Sequence, residues 1–326
     1  MNKLVTVYGG SGFIGRYIVR RLAKEGWRVR VAVRRPNEAL FVKTYGSVGQ
    51  VEPVLCNIRD DRSVFNAAIG ASALINCVGI LAEVGNNTFE EVQFKAADRV
   101  ARTAAEFGIT KLVQLSAIGA NSTSKSKYAR TKFSGETAIF THVPKAVVLR
   151  PSIVFGPEDQ FFNRFAAMTK ISHLLPIVGA NTRFQPVYVD DVAKAAVFAM
   201  HGRVPSGIYE LGGPETKTFR ELMEKMFEVI RQQRIIVNVP FPIASAMGLF
   251  FNALNTISIG LIPAQITRDQ VNNLAYDNIV SHNAKGFTYF DIKPVAMDAV
   301  LSEYLWRFRP SGQYEEMKES AKNMRL

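Results

Sequence analysis

A short apolar run, Leu4 to Tyr8, leads straight into glycines at positions 9, 10, 12 and 15. These open a segment with helical apolar spacing (Phe13, Ile14, Tyr17, Ile18, Leu22) that stops at Gly26. A strand that feeds a glycine turn and then a helix admits few folds. The next run, Arg28 to Val33, is again strand-like. The alternation continues through Val51–Leu55, a helix over 62–69, Ala73–Cys77, a helix over 89–107 ending at Gly108, Lys111–Leu115, a helix around 128–140 and Ala146–Leu149. Strands separated by helix-length segments predict an α/β protein with a doubly wound parallel sheet covered on both faces.

After Pro151 the pattern loosens. The spacing predicts a helix over Gln160–Lys170, strand then helix through PVYVDDVAKAAVFAMHG, and a further strand in GIYELGG. Thr218–Gln232 is strongly periodic, with Thr218 as N-cap and Glu221 at capping-box spacing. Asp190 and Asp191 stand before a helix and read as its N-terminal caps. These elements predict a main domain over 1–160, completed by about 186–213, and a smaller, mostly helical C-terminal lobe over 161–185 and 214–326. No repeat or low-complexity linker interrupts them. Trp306 and the aromatics of Tyr304–Phe308 read as core or docking anchors, and the tail QYEEMKESAKNMRL is mixed in charge and helical in composition.

At 326 residues the chain needs no covalent staples to bury a core. Its two cysteines, Cys56 and Cys77, lie within apolar runs. They read as buried thiols in a reducing compartment and exclude a disulfide framework. The four histidines show no metal-ligand spacing, so no metal is expected. The net charge of +12, from 40 Lys+Arg against 28 Asp+Glu, suits anionic lipid or acidic neighbours. Without a basic arm or an aromatic-basic RNA motif, nucleic acid is not an expected partner. The first strand begins at Lys3 or Leu4, which leaves no room for a signal or transit peptide ahead of it. A native start there predicts action in the compartment of synthesis.

The glycine spacing has a chemical consequence. Gly9, Gly12 and Gly15 allow a tight turn, a close backbone approach to a pyrophosphate and close helix–sheet packing. The helix start then offers N–H groups and a positive dipole end to the phosphates. Dinucleotide-binding units usually carry Asp or Glu about 20 residues further on, for the ribose 2′-hydroxyl. Here Arg34 and Arg35 end the second strand, with no carboxylate until Glu38. A guanidinium fork binds a 2′-phosphate, so the expected cofactor is NADP(H) rather than NAD(H). Two solvated surface arginines are the plainer alternative.

These pieces resemble the short-chain dehydrogenase/reductase superfamily in its extended or atypical branch, in order along most of the chain: GGSGFIG (9–15), CNIRD (56–60), NCVG (76–79), LSAIGA (115–120), YARTK (128–132) and LRPSIVFGP. The resemblance implies a Rossmann domain in which Ser116, Tyr128 and Lys132 occupy the active-site Ser, Tyr and Lys positions. The family's adenine-contacting Asp is replaced by Asn57, a departure. Tyr and Lys four apart share one helix face; there the lysine lowers the tyrosine pKa, tyrosine relays a proton to a carbonyl and Ser116 bonds the same oxygen. The cofactor-binding residues so implied are Gly9, Ser11, Gly12, Phe13, Ile14, Gly15, Arg34, Arg35, Asn57, Ile58, Cys77, Val78, Gly79, Leu115, Ser116, Tyr128, Lys132, Pro151 and Ile153.

A narrower likeness lies in LRPSIVFGPEDQFFNRFAAM, FQPVYVDDVAKA, GIYELGGPETKTFRELM and ITRDQVNNLAYDNIVS. These runs resemble the dehydrogenase-like, NADPH-holding accessory subunits of respiratory complex I. That resemblance implies a tightly bound structural NADPH off the electron path and other complex I subunits as partners. It also implies a peripheral place near the quinone site, on the cytoplasmic or matrix face of the inner membrane. Ile235 to Thr267 contains no charged residue, and prolines at 242 and 263 bracket 20 residues, about the minimum for a spanning helix. Ser245, Asn252, Asn255, Thr256 and Ser258 would need partners in hydrocarbon, so no transmembrane segment is expected. An interfacial or partner-docking segment with lipid contact through 235–267 and an apolar hairpin packed in the lobe both remain open. Because Ser116, Tyr128 and Lys132 are all present, a soluble NADP-dependent oxidoreductase or epimerase is the alternative function. A redox-sensing regulator fits the fold as well.

Overall fold

The computed structural model describes residues 3–246, 267–310 and 312–314. Its centre is a seven-stranded sheet of β1 (Leu4–Tyr8), β2 (Arg28–Val33), β3 (Val51–Leu55), β4 (Ala73–Asn76), β5 (Leu112–Leu115), β6 (Val147–Pro151) and a late strand β11 (Gly207–Leu211). The spatial order is β11-β6-β5-β4-β1-β2-β3, and every neighbouring pair is parallel. Strand order reverses between β1 and β4, which opens a crevice at their carboxyl ends.

Strand alternation sends side chains to two cores. Val5 and Val7 of β1 face α1 (Phe13–Lys24) and α6 (Val189–Met200), the latter rich in alanines that let it lie close to the sheet. Tyr8 faces the opposite layer, formed by α2 (Asp61–Ala68), α3 (Ala96–Glu106) and α4 (Lys127–His142). Two buried hydroxyls on that side are satisfied: Thr6 Oγ1 donates to Ala67 O at 2.7 Å and Tyr8 to Val64 O at 2.8 Å.

A third core holds α5 (Phe162–Met168), strand β8 (Leu174–Val178), α7 (Phe219–Ile230) and the helix Asp298–Leu305. Thr218 caps α7 in a full capping box with Glu221. The run FGPEDQFFNRF is anchored in this core. Asp159, 3% exposed, accepts from Gly156 N, Asn163 N and the Tyr304 hydroxyl, the last at 2.6 Å. Phe161, Phe162 and Phe165 enter the same core. Tyr304 and Phe308 are buried there as well, and Trp306 is half exposed.

Some expectations are corrected. Asp190 and Asp191 do not cap α6: Tyr188 is the N-cap and both carboxylates lie inside the first turn. Asp190 takes a two-pronged bond from Arg21 of α1 at 2.7 and 2.6 Å, and Asp191 accepts Val295 N at 2.7 Å. They tie neighbouring elements to α6. The expected 89–107 helix starts with a π-helical turn, Glu90–Lys95. Pro36–Tyr45 forms 3₁₀ turns, and β13 (Ile235–Val239) pairs in parallel with β8; neither carries a periodic apolar signal. Residues 247–266, with MGLFF and ISIGLI, and 315–326 of the tail lie outside the described residues. Among the described residues no helix is long and apolar enough to cross a membrane.

Candidate functional site

Gly9 leaves β1 with φ +74°, in the left-handed region that favours glycine. Its N–H donates to Ala32 O of β2 at 2.9 Å, and Gly12 N folds back onto Gly9 O at 3.0 Å. A Cβ on Gly15 would lie 2.4 Å from Gly9 O and 2.8 Å from Gly10 Cα, so only glycine lets α1 seat against this turn. Gly15→Ala is therefore expected to lower stability by about 1–3 kcal/mol, the usual cost of overpacking, read as a lower denaturation midpoint. Gly12→Ala should cost less, since its Cβ would meet only Gly9 O, at 3.2 Å. Equal midpoints for Gly15→Ala and the parent would mean that α1 is not packed this way.

The start of α1 has no side-chain cap and no acidic residue in its first turn. Its leading N–H groups, which have no intrahelical partners, face the crevice mouth with Ser11, Phe13 and Ile14 half buried beside them. Arg34 and Arg35 are exposed at the end of β2, next to the turn. Arg34 Nη1 donates to Asn87 Oδ1 at 3.3 Å and Arg35 Nη1 to Glu38 Oε1 at 3.0 Å. Uncapped amides and guanidinium groups, with the nearest carboxylate already paired, form a donor set suited to phosphates. The residues present fit a dinucleotide. Asn57 N donates to Ser63 Oγ at 2.9 Å while its side-chain oxygen accepts Arg59 N at 3.2 Å, beside buried Ile58.

Across the crevice, Cys77, Val78 and Gly79 follow β4. Asn76 steadies them: its Oδ1 accepts Val78 N at 3.1 Å and its Nδ2 donates to Gln114 at 2.9 Å. Cys77 is half buried rather than buried, and burial pushes its thiol up to about 12. A Cβ on Gly79 would stand 3.3 Å from Lys132 Nζ. Lys132 is 7% exposed and donates to Leu115 O at 3.3 Å; burial brings its ammonium down to about 8. Pro151 ends β6, and Ile153 O accepts Val187 N at 2.9 Å.

Tyr128 and Lys132 do share one face of α4, with the ammonium 5.9 Å from the ring centroid. Burial, then the Asp269 charge, push the phenol up to about 12. Phe89 packs edge-on against the ring at 5.7 Å. Ser116, 7% exposed, donates a hydrogen bond from its hydroxyl to Glu136 Oε1.

Two features were missed by sequence reasoning. Glu136 belongs to a buried cluster: Arg150 Nε donates to its Oε1 at 2.9 Å and Nη2 to its Oε2 at 2.5 Å, while Arg150 Nη1 stands 3.6 Å from Glu210 Oε1. The only signal was a charged residue inside the apolar strand VVLRP. Asp269, from the C-terminal lobe, bonds the start of α4; no local pattern marks a contact across so long a separation.

A parallel sheet with a glycine turn at its switch point, an uncapped helix end and a Tyr–Lys helix beside them defines a dinucleotide-binding protein of the short-chain dehydrogenase/reductase type. The model for the NAD dependent epimerase/dehydratase family matches residues 5–212. NADH dehydrogenase (ubiquinone) 1 alpha subcomplex subunit 9, mitochondrial, of Arabidopsis thaliana is 37% identical over 316 residues, covering 95% of this chain and 79% of that protein. A protein named ceramide reductase, from Caulobacter vibrioides, is 28% identical over 257 residues, 78% of this chain and 79% of that one. Among solved structures, Thermus thermophilus UDP-glucose 4-epimerase in complex with NAD superposes with TM-score 0.67 at 19% identity, over 94% of this chain and 99% of that chain. The chain belongs to the NAD dependent epimerase/dehydratase family and, within it, to the family of the alpha subcomplex subunit 9 proteins.

Proposed function

We propose that this chain is an accessory subunit of respiratory complex I, the NADH:quinone oxidoreductase, where it holds NADPH as a structural group and turns over no substrate of its own. The observation that carries the reading is the 37% identity, over 95% of the chain, to a protein named as a subunit of NADH dehydrogenase (ubiquinone). The amides after Gly9, Ser11 and Gly12 would hold the diphosphate, Arg34 and Arg35 the 2′-phosphate, Asn57 and Ile58 the adenine. Tyr128 and Lys132 would hold the ribose beside the nicotinamide, with Phe13, Ile14, Cys77, Val78, Gly79, Leu115, Pro151 and Ile153 lining the crevice. When bound, the nicotinamide supplies a hydride donor.

Local chemistry favours holding over turnover. A serine hydroxyl carries one proton, and the bond to Glu136 leaves none for a substrate carbonyl. The phenol of Tyr128 is harder to ionise than a free tyrosine.

The lobe also supplies a docking face. On the β8–β13 ribbon, Leu174 stands opposite Ile235 and Pro176 opposite Val237, and all four point outward and exposed. The charge-free run 235–267 continues from this ribbon. We place this side against other complex I subunits or lipid, peripheral on the cytoplasmic or matrix face of the inner membrane.

A tagged copy should migrate with complex I on a native gel and carry NADPH through purification; a free monomer or dimer with an exchanging cofactor contradicts the reading. The identity to a ceramide reductase, with Ser116, Tyr128 and Lys132 retained, favours a second reading as an NADP-dependent reductase. Tyr128→Phe separates the two. Complex I activity should stay within experimental error of the parent if the chain only holds cofactor, whereas a reductase would lose its turnover by a factor of about 10²–10⁴.

A further inference from the structure

Three donors at the start of α4 converge on one carboxylate. Ser126 Oγ donates to Asp269 Oδ2 at 2.8 Å, Lys127 N to Oδ1 at 2.6 Å and Tyr128 N to Oδ2 at 3.2 Å. The leading amides of a helix have no partners of their own, and a negative charge there also meets the positive end of the dipole. Ser126 already supplies the cap from within the helix, accepting Ala129 N at 3.3 Å. Asp269 adds a second layer from the other lobe. Its neighbour Gln270 donates to Leu81 O at 3.2 Å, on the loop that follows Gly79. The short helix Arg268–Leu274 therefore touches both walls of the crevice, the Tyr128 helix and the loop after β4.

That helix is itself seated in the lobe. Thr267 and Gln270 form a capping box, Val271 is 1% exposed and packs on Val178 and Ala244, and Leu274 O accepts Thr182 Oγ1 at 2.5 Å.

We propose that Asp269 is a positioning residue for the dinucleotide: by pinning the first turn of α4 from the C-terminal lobe, it makes NADPH retention depend on the seating of residues 267–274. The inference rests on the reading that the crevice holds NADPH. Linkage requires the converse, so NADPH must also steady residues 267–274. This gives a lobe that faces a partner a physical route to the cofactor, through one side chain.

The test uses the full chain with NADPH as the probe. Asp269→Asn keeps the shape and one acceptor oxygen, but sets an amide donor against the backbone N–H groups. It should weaken NADPH binding about tenfold or more, the scale of a lost charged hydrogen bond, with the fold intact by circular dichroism. Amide hydrogen exchange on the parent needs no variant: NADPH should slow exchange across 268–274, and should fail to do so in Asp269→Asn. Unchanged NADPH affinity in Asp269→Asn, or exchange at 268–274 indifferent to NADPH in the parent, overturns the proposal. A parent chain that binds no NADPH overturns the cofactor reading itself.

Discussion

Arg150→Ala is expected to destabilise the chain by about 3–5 kcal/mol, the cost of leaving buried charge unpaired. Arg150 pairs with both carboxylates, and the buried Lys132 ammonium lies near one of them, Glu136. The side chains of Arg150 and Glu136 are 14% and 3% exposed, and that of Glu210 is 9% exposed. When the guanidinium is removed Glu136 keeps one hydrogen bond, from the Ser116 hydroxyl, and the nearby Lys132 charge, and Glu210 keeps Ser281 N at 2.8 Å. The loss would be felt on two elements of the sheet, β6 and β11, and on α4, which carries Tyr128 and Lys132. Arg150→Lys should recover part of the stability, because an ammonium restores the charge but not the planar fork. Chemical denaturation reads the difference; a change below about 1 kcal/mol, the scale of an exposed ion pair, would show that the cluster is open to water.

The second large effect is on binding. Replacing Arg34 and Arg35 together by Ala should weaken NADPH by about 3–6 kcal/mol, from two charged hydrogen bonds of about 1.5–3 kcal/mol each. NADH should be nearly unaffected, since it lacks the phosphate. The fold should be spared, because both side chains are exposed and their present partners are a surface carboxylate and Asn87. Exposed pairs of that kind contribute little, so releasing them toward a phosphate costs little. Equal loss for NADPH and NADH, or none for either, would move the 2′-phosphate elsewhere.

Most of the first half of the chain was legible because its sheet strands and α-helices are apolar runs or periodic segments that end on a glycine or a polar break. The 3₁₀ turns of Pro36–Tyr45 are neither. Leu4–Tyr8, Gly9–Gly15 and Arg28–Val33 specify a strand, a turn and a strand whose only compatible arrangement is parallel. The capping box at Thr218 was readable for the same reason: it is local. What escaped notice is non-local. Asp190 looks like a cap by position, yet its partner is Arg21, 169 residues away. The β8–β13 pair has an inner face, Leu175 and Ile177, but its outer face is apolar too, so no alternation announces a strand. At the candidate site the residue types at 116, 128 and 132 could be named, but not the state of their protons. Ser116 is engaged by Glu136, twenty residues on, and Tyr128 feels Asp269.

The central claim is that this chain holds NADPH as a fixed part of complex I. The most direct measurement is the nucleotide released on denaturing complex I captured through a tag on this chain. NADP(H) is expected, close to one per tagged chain and retained through washing. Release of NAD(H) instead, or of no nucleotide from an intact complex, would contradict it.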